Sequence, residues 1–436
     1  MVKSLAELSY PDAPKMVVKP PGPKSLEITE KINKVTAQRL VGAGRPGRGS
    51  VVWKSARGAT VQDVDGNIYI DWTAGWHAAS TGHSTPEVAQ AIYETAKNVM
   101  INTGPFAVEL RYTAAKKLLE IMPGDLKKGQ TFFGSSGTEA TYGAANVARV
   151  FTGKPDLIAL STHYHGHRGW QGPEGKLLIG PTPSCYNCQI GETYPECGFA
   201  CVDFLENMNK ISGGNNVAGV ILEPWARYGG TPEGYLPRLK KMCEENNLLL
   251  LADDITCGFG RSGKYWWFEE WENVVPDILI TAKGVGSGIP FCAVVAPTEM
   301  MEKFNVSQVH SFAMNPVTCA AVAANIDVMK KLDILNNVHV VGELIKKRFL
   351  EMQEEHEMIG DVPSKGLNVG VTIVKDRRTR ELDRAKGARV FSKAFEKGLL
   401  NYGFTWATPP LCLTREQADK AMDIIEECIK EVEREG

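Results

Sequence analysis

The sequence predicts an α/β fold in which a large domain on a mostly parallel sheet is followed by a small α+β domain, and three features lead to that reading. Residues 248–252 read Leu-Leu-Leu-Leu-Ala, a short unbroken apolar run that suits a strand buried on both faces of a parallel sheet. From Pro86 to about Asn325, runs of this kind alternate with helical patterns, as expected of strands joined by crossover helices. Beyond Lys330 the character changes to a charged helix, one β-segment and a terminal amphipathic helix. The predicted divisions are an N-terminal arm with a small antiparallel sheet over 1–75, the large domain over 76–325 and the small domain over 326–436.

In chain order, Pro20, Pro21 and Pro23 mark an extended arm, and residues 25–40 form an amphipathic helix whose expected task is subunit contact. Residues 58–64 alternate in polarity, Asp65-Gly66-Asn67 is a hairpin turn and Ile68-Tyr69-Ile70 returns, which predicts a small sheet. Trp76 and His77 follow beside Gly75, where a large aromatic either faces a ligand or packs into the core. Late in the chain, residues 336–356 read as a helix, 369–374 as a β-segment and 415–434 as an amphipathic helix. A net charge of −2 gives no electrostatic reason to expect nucleic acid or an anionic membrane as partner, and no apolar run approaches the roughly 18 residues needed to span a bilayer. The N-terminal stretch lacks the apolar core of a signal peptide, so the expected location is cytoplasmic.

The chemistry is concentrated where strands end. Asp253 and Asp254 directly follow the apolar run at 248–252, at the carboxyl edge where open α/β sheets place their ligands, and a glycine-rich turn from Cys257 to Gly263 follows. A second β-rich run, 276–282, delivers Lys283 into Gly284, Gly286 and Gly288, where side chains would crowd a ligand. Upstream, Phe133-Gly134-Ser135-Ser136-Gly137-Thr138-Glu139-Ala140 opens a helix, so small residues present N–H groups and hydroxyls to an anion. Tyr164-His165-Gly166-His167 follows the β-run at 157–160 and offers an aromatic cover for a flat ring. Phosphate cradle, aromatic cover, buried carboxylate and strand-end lysine together suit pyridoxal 5′-phosphate (PLP) held as a Schiff base. Taken alone, the acid and the lysine are equally well a structural ion pair.

These motifs, with Glu223-Pro224 and the late Asn315-Pro316, occur in the order found in class III aminotransferases, and from about Arg45 onward the chain resembles that family of fold type I PLP enzymes. The resemblance implies a seven-stranded-type sheet in the large domain and an amino acid or amine as substrate. It makes Lys283 the Schiff-base lysine and proton carrier, and Asp253 the partner of the pyridine nitrogen. It further implies that Tyr164 stacks on the ring, that Ser136, Gly137 and Thr138 take the phosphate, that Thr256 lies near the phenolic oxygen, and that Trp76 belongs to a wall of the substrate pocket. Ser311 stands where the family usually has a threonine reaching the neighbouring subunit's phosphate, which implies a homodimer with shared active sites; pairing into a tetramer is left open.

The chain also departs from the family. Trp406 stands where an arginine would bind the α-carboxylate of glutamate and 2-oxoglutarate, and Tyr228, before Gly229-Gly230, replaces that arginine's glutamate partner. Thr256 replaces a common glutamine, and His167 replaces an arginine. Arg168 or Arg227 then either supplies a carboxylate anchor or is a surface residue. The resulting expectation is an aminotransferase not specialised for 2-oxoglutarate, with a racemase, epimerase or aminomutase on the same scaffold as the alternative. Finally, Cys185, Cys188, Cys197 and Cys201 have a C-x2-C-x8-C-x3-C spacing that suits a structural zinc; packed thiols or a disulfide are the alternatives.

Overall fold

The computed structural model describes residues 3–37, 51–102, 106–166, 175–212, 215–225, 230–271, 274–304, 311–403 and 406–436. These fall into two compact units, one comprising Met1–Pro86 with Met329–Gly436 and the other Glu87–Val328.

In the first unit, β1 (Trp53–Arg57), β2 (Thr60–Asp63) and β3 (Ile68–Asp71) form an antiparallel meander, and the strand Leu399–Leu400 joins parallel to β3. The hairpin between β2 and β3 is held by buried Asp63, whose carboxylate accepts from the N–H groups of Asp65 and Asn67, the Asn67 side chain and the Tyr69 hydroxyl. The arm helix runs from Pro23 to Val35, shorter than expected, and begins with proline at its first position. The C-terminal helices Ile334–Glu355 and Arg415–Glu435 occur where the periodicity places them. The β-segment at 369–374 is instead two short strands, Val369–Gly370 and Thr372–Asp376, which pair with different partners.

The second unit is organised by a seven-stranded sheet whose strands in sequence order are β4 (Gln130–Gly134), β5 (Asp156–Leu160), β6 (Leu177–Gly180), β7 (Val217–Leu222), β8 (Leu249–Asp253), β9 (Ile278–Ala282) and β10 (Cys292–Ala296). The spatial order is β4-β10-β9-β8-β7-β5-β6, with only β10 antiparallel to its neighbours. β8, the run that suggested the fold, is the central strand. Every residue of β5, β7, β9 and β10 is buried, which is why these segments read as continuous apolar runs rather than alternating ones. The helix Gly137–Thr152 lays Ala140, Ala144, Ala145, Val147 and Ala148 into one of the two core clusters that cover the sheet. Small side chains let this helix approach the strands closely, and Gly153, with φ of +72°, ends it by donating to the Arg149 carbonyl. Because β4, β5, β7, β8 and β9 run the same way, the segments after them all emerge at one edge of the sheet.

Candidate active site

Five strand ends meet at that edge, and each contributes a residue singled out in the sequence. After β8, the carboxylate of Asp253, 1% exposed, receives His165 Nδ1 on Oδ2 at 2.6 Å and the Ile255 N–H on Oδ1 at 3.3 Å. Successive strand residues point to opposite faces, so Asp254 cannot serve the same place. Its carboxylate instead accepts from the Trp267 N–H at 3.0 Å and the Cys257 thiol at 3.2 Å, and burial pushes it up to about 7. Asp254 is therefore a structural acid, and Asp253 is the one facing the turn after β5.

That turn is built from both its neighbours. His163 Nδ1 accepts from the Glu223 N–H at 2.9 Å, while Glu223 Oε2 accepts from the Tyr164 N–H at 2.9 Å, so the end of β7 and the end of β5 brace each other. Thr141, on the helix after β4, donates its hydroxyl to the His165 carbonyl at 2.9 Å. Gly166 has φ of +83°, and a Cβ there would lie 2.5 Å from Thr138 Oγ1, so only glycine lets the turn close on the helix start. Tyr164 is left 49% exposed beside buried His165, as a residue that covers a ligand ring must be.

After β4, Ser136 is the N-cap of the helix Gly137–Thr152, its hydroxyl accepting from the Glu139 N–H at 3.3 Å, and Glu139 Oε2 returns to the Ser135 N–H at 2.6 Å. The Ser136 hydroxyl, expected to take phosphate, is thus engaged as a cap acceptor and retains only its proton to offer an anion. Gly137 and Thr138 are the first two residues of this helix, where N–H groups point toward the ligand edge. A Cβ on Gly137 would stand 3.0 Å from Ile255, so a side chain there would crowd the cradle.

After β9, Lys283 has φ of +40° and its Nζ donates to Thr256 Oγ1 at 3.1 Å. Lys283 and Asp253 thus end adjacent strands at one edge, with Thr256, three residues beyond Asp253, holding the amine. The donor set fits PLP: an amine for its aldehyde, a buried acid for its ring nitrogen, a helix N-terminus for its phosphate and an exposed aromatic for its ring face.

The family description Aminotransferase class-III matches residues 44–429. The chain belongs to the class III aminotransferase family. As a member it is a PLP-dependent enzyme of fold type I, in agreement with the resemblance read from its motifs. It is 34% identical to an alanine/serine racemase from Pyrococcus horikoshii, over 98% of this chain and 94% of the relative. It is 30% identical to a 4-aminobutyrate aminotransferase from Mycobacterium leprae, over 94% and 96% of the two chains. Among solved structures, an amine transaminase from an uncultivated Pseudomonas species, determined with PLP bound, superposes with a TM-score of 0.83 at 25% identity, covering 91% of this chain and 98% of the other.

The structure gathers Ser136, Gly137, Thr138, Tyr164, Asp253, Thr256 and Lys283 in the second unit. Ser311 is exposed just before the helix Pro316–Lys331. Arg168, Tyr228, Arg227 and His167 lie outside the described residues. Trp76 and Trp406 belong to the first unit. Trp76 sits on a turn in which Ala74, Gly75, Trp76 and His77 all have positive φ, costly for the three that are not glycine. Its ring stacks on Tyr402 at 4.1 Å and its N–H donates to the Tyr402 hydroxyl at 2.8 Å. Trp406 pairs in a short strand opposite Gly370, with its ring 4.8 Å from that of His77.

The zinc expectation is not supported. Cys185, Cys188, Cys197 and Cys201 line one small cavity and form no disulfide, but among the described residues no three His, Cys, Asp or Glu side chains are arranged to hold a metal ion. Burial, with Cys185 and Cys197 beside it, pushes the Cys201 thiol up to about 11, so it rests protonated. His165 carries a role that the sequence reading did not assign. The signal was a histidine between an aromatic and a positive-φ glycine, but only the sheet order brings it to Asp253. Among the described residues, no helix is long and apolar enough to cross a membrane.

Proposed function

We propose that the enzyme removes the α-proton of a small amino acid or amine with an uncharged side chain and passes the amino group to a keto acid other than 2-oxoglutarate. The observation that carries the chemistry is the pairing of Lys283 Nζ with Thr256 and of Asp253 with His165 at the ends of adjacent strands. PLP, when bound, supplies the electron-withdrawing ring that makes the substrate's α-proton removable. Asp253, buried and held by His165, would pair with the ring nitrogen and favour its protonated form. Lys283 Nζ would be the amine that takes up and releases the proton, with Thr256 Oγ1 orienting it. Gly137 and Thr138 N–H groups hold the phosphate, and Tyr164 covers the ring.

The choice of acceptor rests on Trp406. Where the resemblance to the family implies an arginine for a dicarboxylate, this chain has an indole, and a carboxylate desolvated against it without a cation would cost roughly a few kcal/mol. A racemase or epimerase is the second reading, because the racemase relative is more similar than the aminobutyrate enzyme and an isomerase requires no acceptor. A homodimer is part of the proposal. Exposed Ser311 would reach the partner's phosphate, and Met100, Phe106, Tyr112 and Phe312, each more than 60% exposed, give the same unit apolar surface to bury.

The test is the half-reaction from the pyridoxamine form, followed by recovery of the aldehyde absorbance with pyruvate or 2-oxoglutarate, alongside the optical rotation of L-alanine and L-leucine without acceptor. Faster recovery with pyruvate supports the transferase. Rotation lost without keto acid supports the isomerase. Faster recovery with 2-oxoglutarate overturns the acceptor argument.

A further inference from the structure

Lys283 stands in a backbone conformation that costs free energy. A residue with a Cβ at φ of +40° is disfavoured, and the four residues Lys283–Gly286 make a single tight turn between the buried strands β9 and β10. A turn of this kind persists only when its surroundings over-determine it. One side chain does so. Asn325, fully buried in the helix Pro316–Lys331, donates its Nδ2 protons to the carbonyls of Gly284 and Val285, both at 2.9 Å.

Every helical neighbour of Asn325 that faces inward is apolar: Ala321, Val322 and Ile326 are fully buried, so a leucine would be the unremarkable choice at 325. A buried amide in such a face is retained only with its hydrogen bonds made, and here both protons go to the turn that carries Lys283. The helix itself is fixed at its start. Asn315 Oδ1 accepts from the Val317 N–H at 2.9 Å, and Pro316 opens the first turn. On the other side of the turn, a Cβ at Gly286 would lie 2.9 Å from the Phe291 Cβ, so Phe291 packs closely against the turn and leaves no room for a side chain at 286.

We propose that Asn325 is a positioning residue for Lys283: by bridging the Gly284 and Val285 carbonyls it holds the strained turn that aims Lys283 Nζ at Thr256 Oγ1. The proposal rests on the assignment of Lys283 as the amine that bonds to PLP and carries the proton. Asn325 reaches only main-chain carbonyls, so its effect falls on where the lysine amine points and not on the phosphate cradle or Asp253.

The experiment compares wild type with Asn325→Leu and Asn325→Ser. Four quantities are read: the rate at which apo-protein forms a borohydride-reducible bond with PLP, the affinity for pyridoxamine 5′-phosphate, which uses the phosphate and ring contacts but not the lysine, and kcat and KM. Asn325→Leu should slow bond formation and kcat by about 10- to 100-fold, the range that 1.4 kcal/mol per decade gives for one or two lost hydrogen bonds. Affinity for pyridoxamine 5′-phosphate and KM should stay within about threefold, since their contacts are untouched. Asn325→Ser, which keeps one donor, should fall between. The proposal is overturned if bond formation in Asn325→Leu matches wild type, or if pyridoxamine 5′-phosphate affinity and KM worsen in parallel with it, the mark of general loosening. Wild-type protein that forms no reducible bond with PLP at all would instead overturn the assignment of Lys283.

Discussion

Replacing His165 with leucine isolates the interaction that orients the buried acid of the site. The histidine contributes a 2.6 Å hydrogen bond to Asp253 Oδ2, and its removal leaves the buried carboxylate with the longer contact from the Ile255 N–H at 3.3 Å. A hydrogen bond to a charged group contributes about 1.5–3 kcal/mol, and without it the carboxylate is no longer held in the orientation from which it would pair with the ring nitrogen. At 1.4 kcal/mol per decade, kcat should fall about 10- to 100-fold. His165→Asn places an amide donor near the lost Nδ1 and should recover most of that loss. The assay is kcat at saturating amine donor for wild type and both variants, with pyridoxamine 5′-phosphate affinity as the control for an intact cradle. Turnover in His165→Leu within about twofold of wild type, or no advantage of asparagine over leucine, would refute the view that His165 maintains Asp253.

Lys283→Ala should bind PLP without a borohydride-reducible bond and show no turnover, because the cradle and Asp253 remain while the proton carrier is gone; measurable wild-type activity in that variant refutes its role. Asp254→Asn separates the two adjacent acids by pH. The folded carboxyl titrates at about 7 against an ordinary 3.8, so its contribution to stability is complete below 3.8 and is lost as pH rises through about 7. Urea titrations of wild type should therefore show stability falling by a few kcal/mol across that window, and the asparagine variant should flatten the fall; an unchanged slope shows that Asp254 is not the titrating group. Protein purified without added metal should carry well below one zinc per subunit, and all four thiols at Cys185, Cys188, Cys197 and Cys201 should react with a thiol reagent after unfolding. Stoichiometric zinc lost on replacing Cys185 and Cys188 with serine would show that the loop closes on an ion.

Local pattern determined much of this protein. A parallel strand buried on both faces must be apolar along its whole length, so β8 and β9 were legible as runs, and the residues that interrupt them, Asp253 and Lys283, were legible as strand ends. The helix after β4 declared itself by Ser136, Gly137 and its alanines, since capping and close packing are short-range demands on sequence. The metal reading lacks support for the complementary reason: spacing brings four cysteines to one cavity, but ligand convergence depends on side-chain directions that spacing does not contain. The same limit hid Asn325, 42 residues after Lys283 in the chain and indistinguishable in sequence from any polar residue on a helix. Which acid faces the site, which histidine holds it and which amide holds the lysine's turn are decided by strand order, because the sheet sets β8 between β7 and β9 and sets the turn after β5 against the end of β8. The sequence by itself determined the chemical groups and the edge of the sheet they occupy; only the tertiary structure decided their partners, since those hydrogen bonds join residues from different strand ends whose distances no local periodicity constrains.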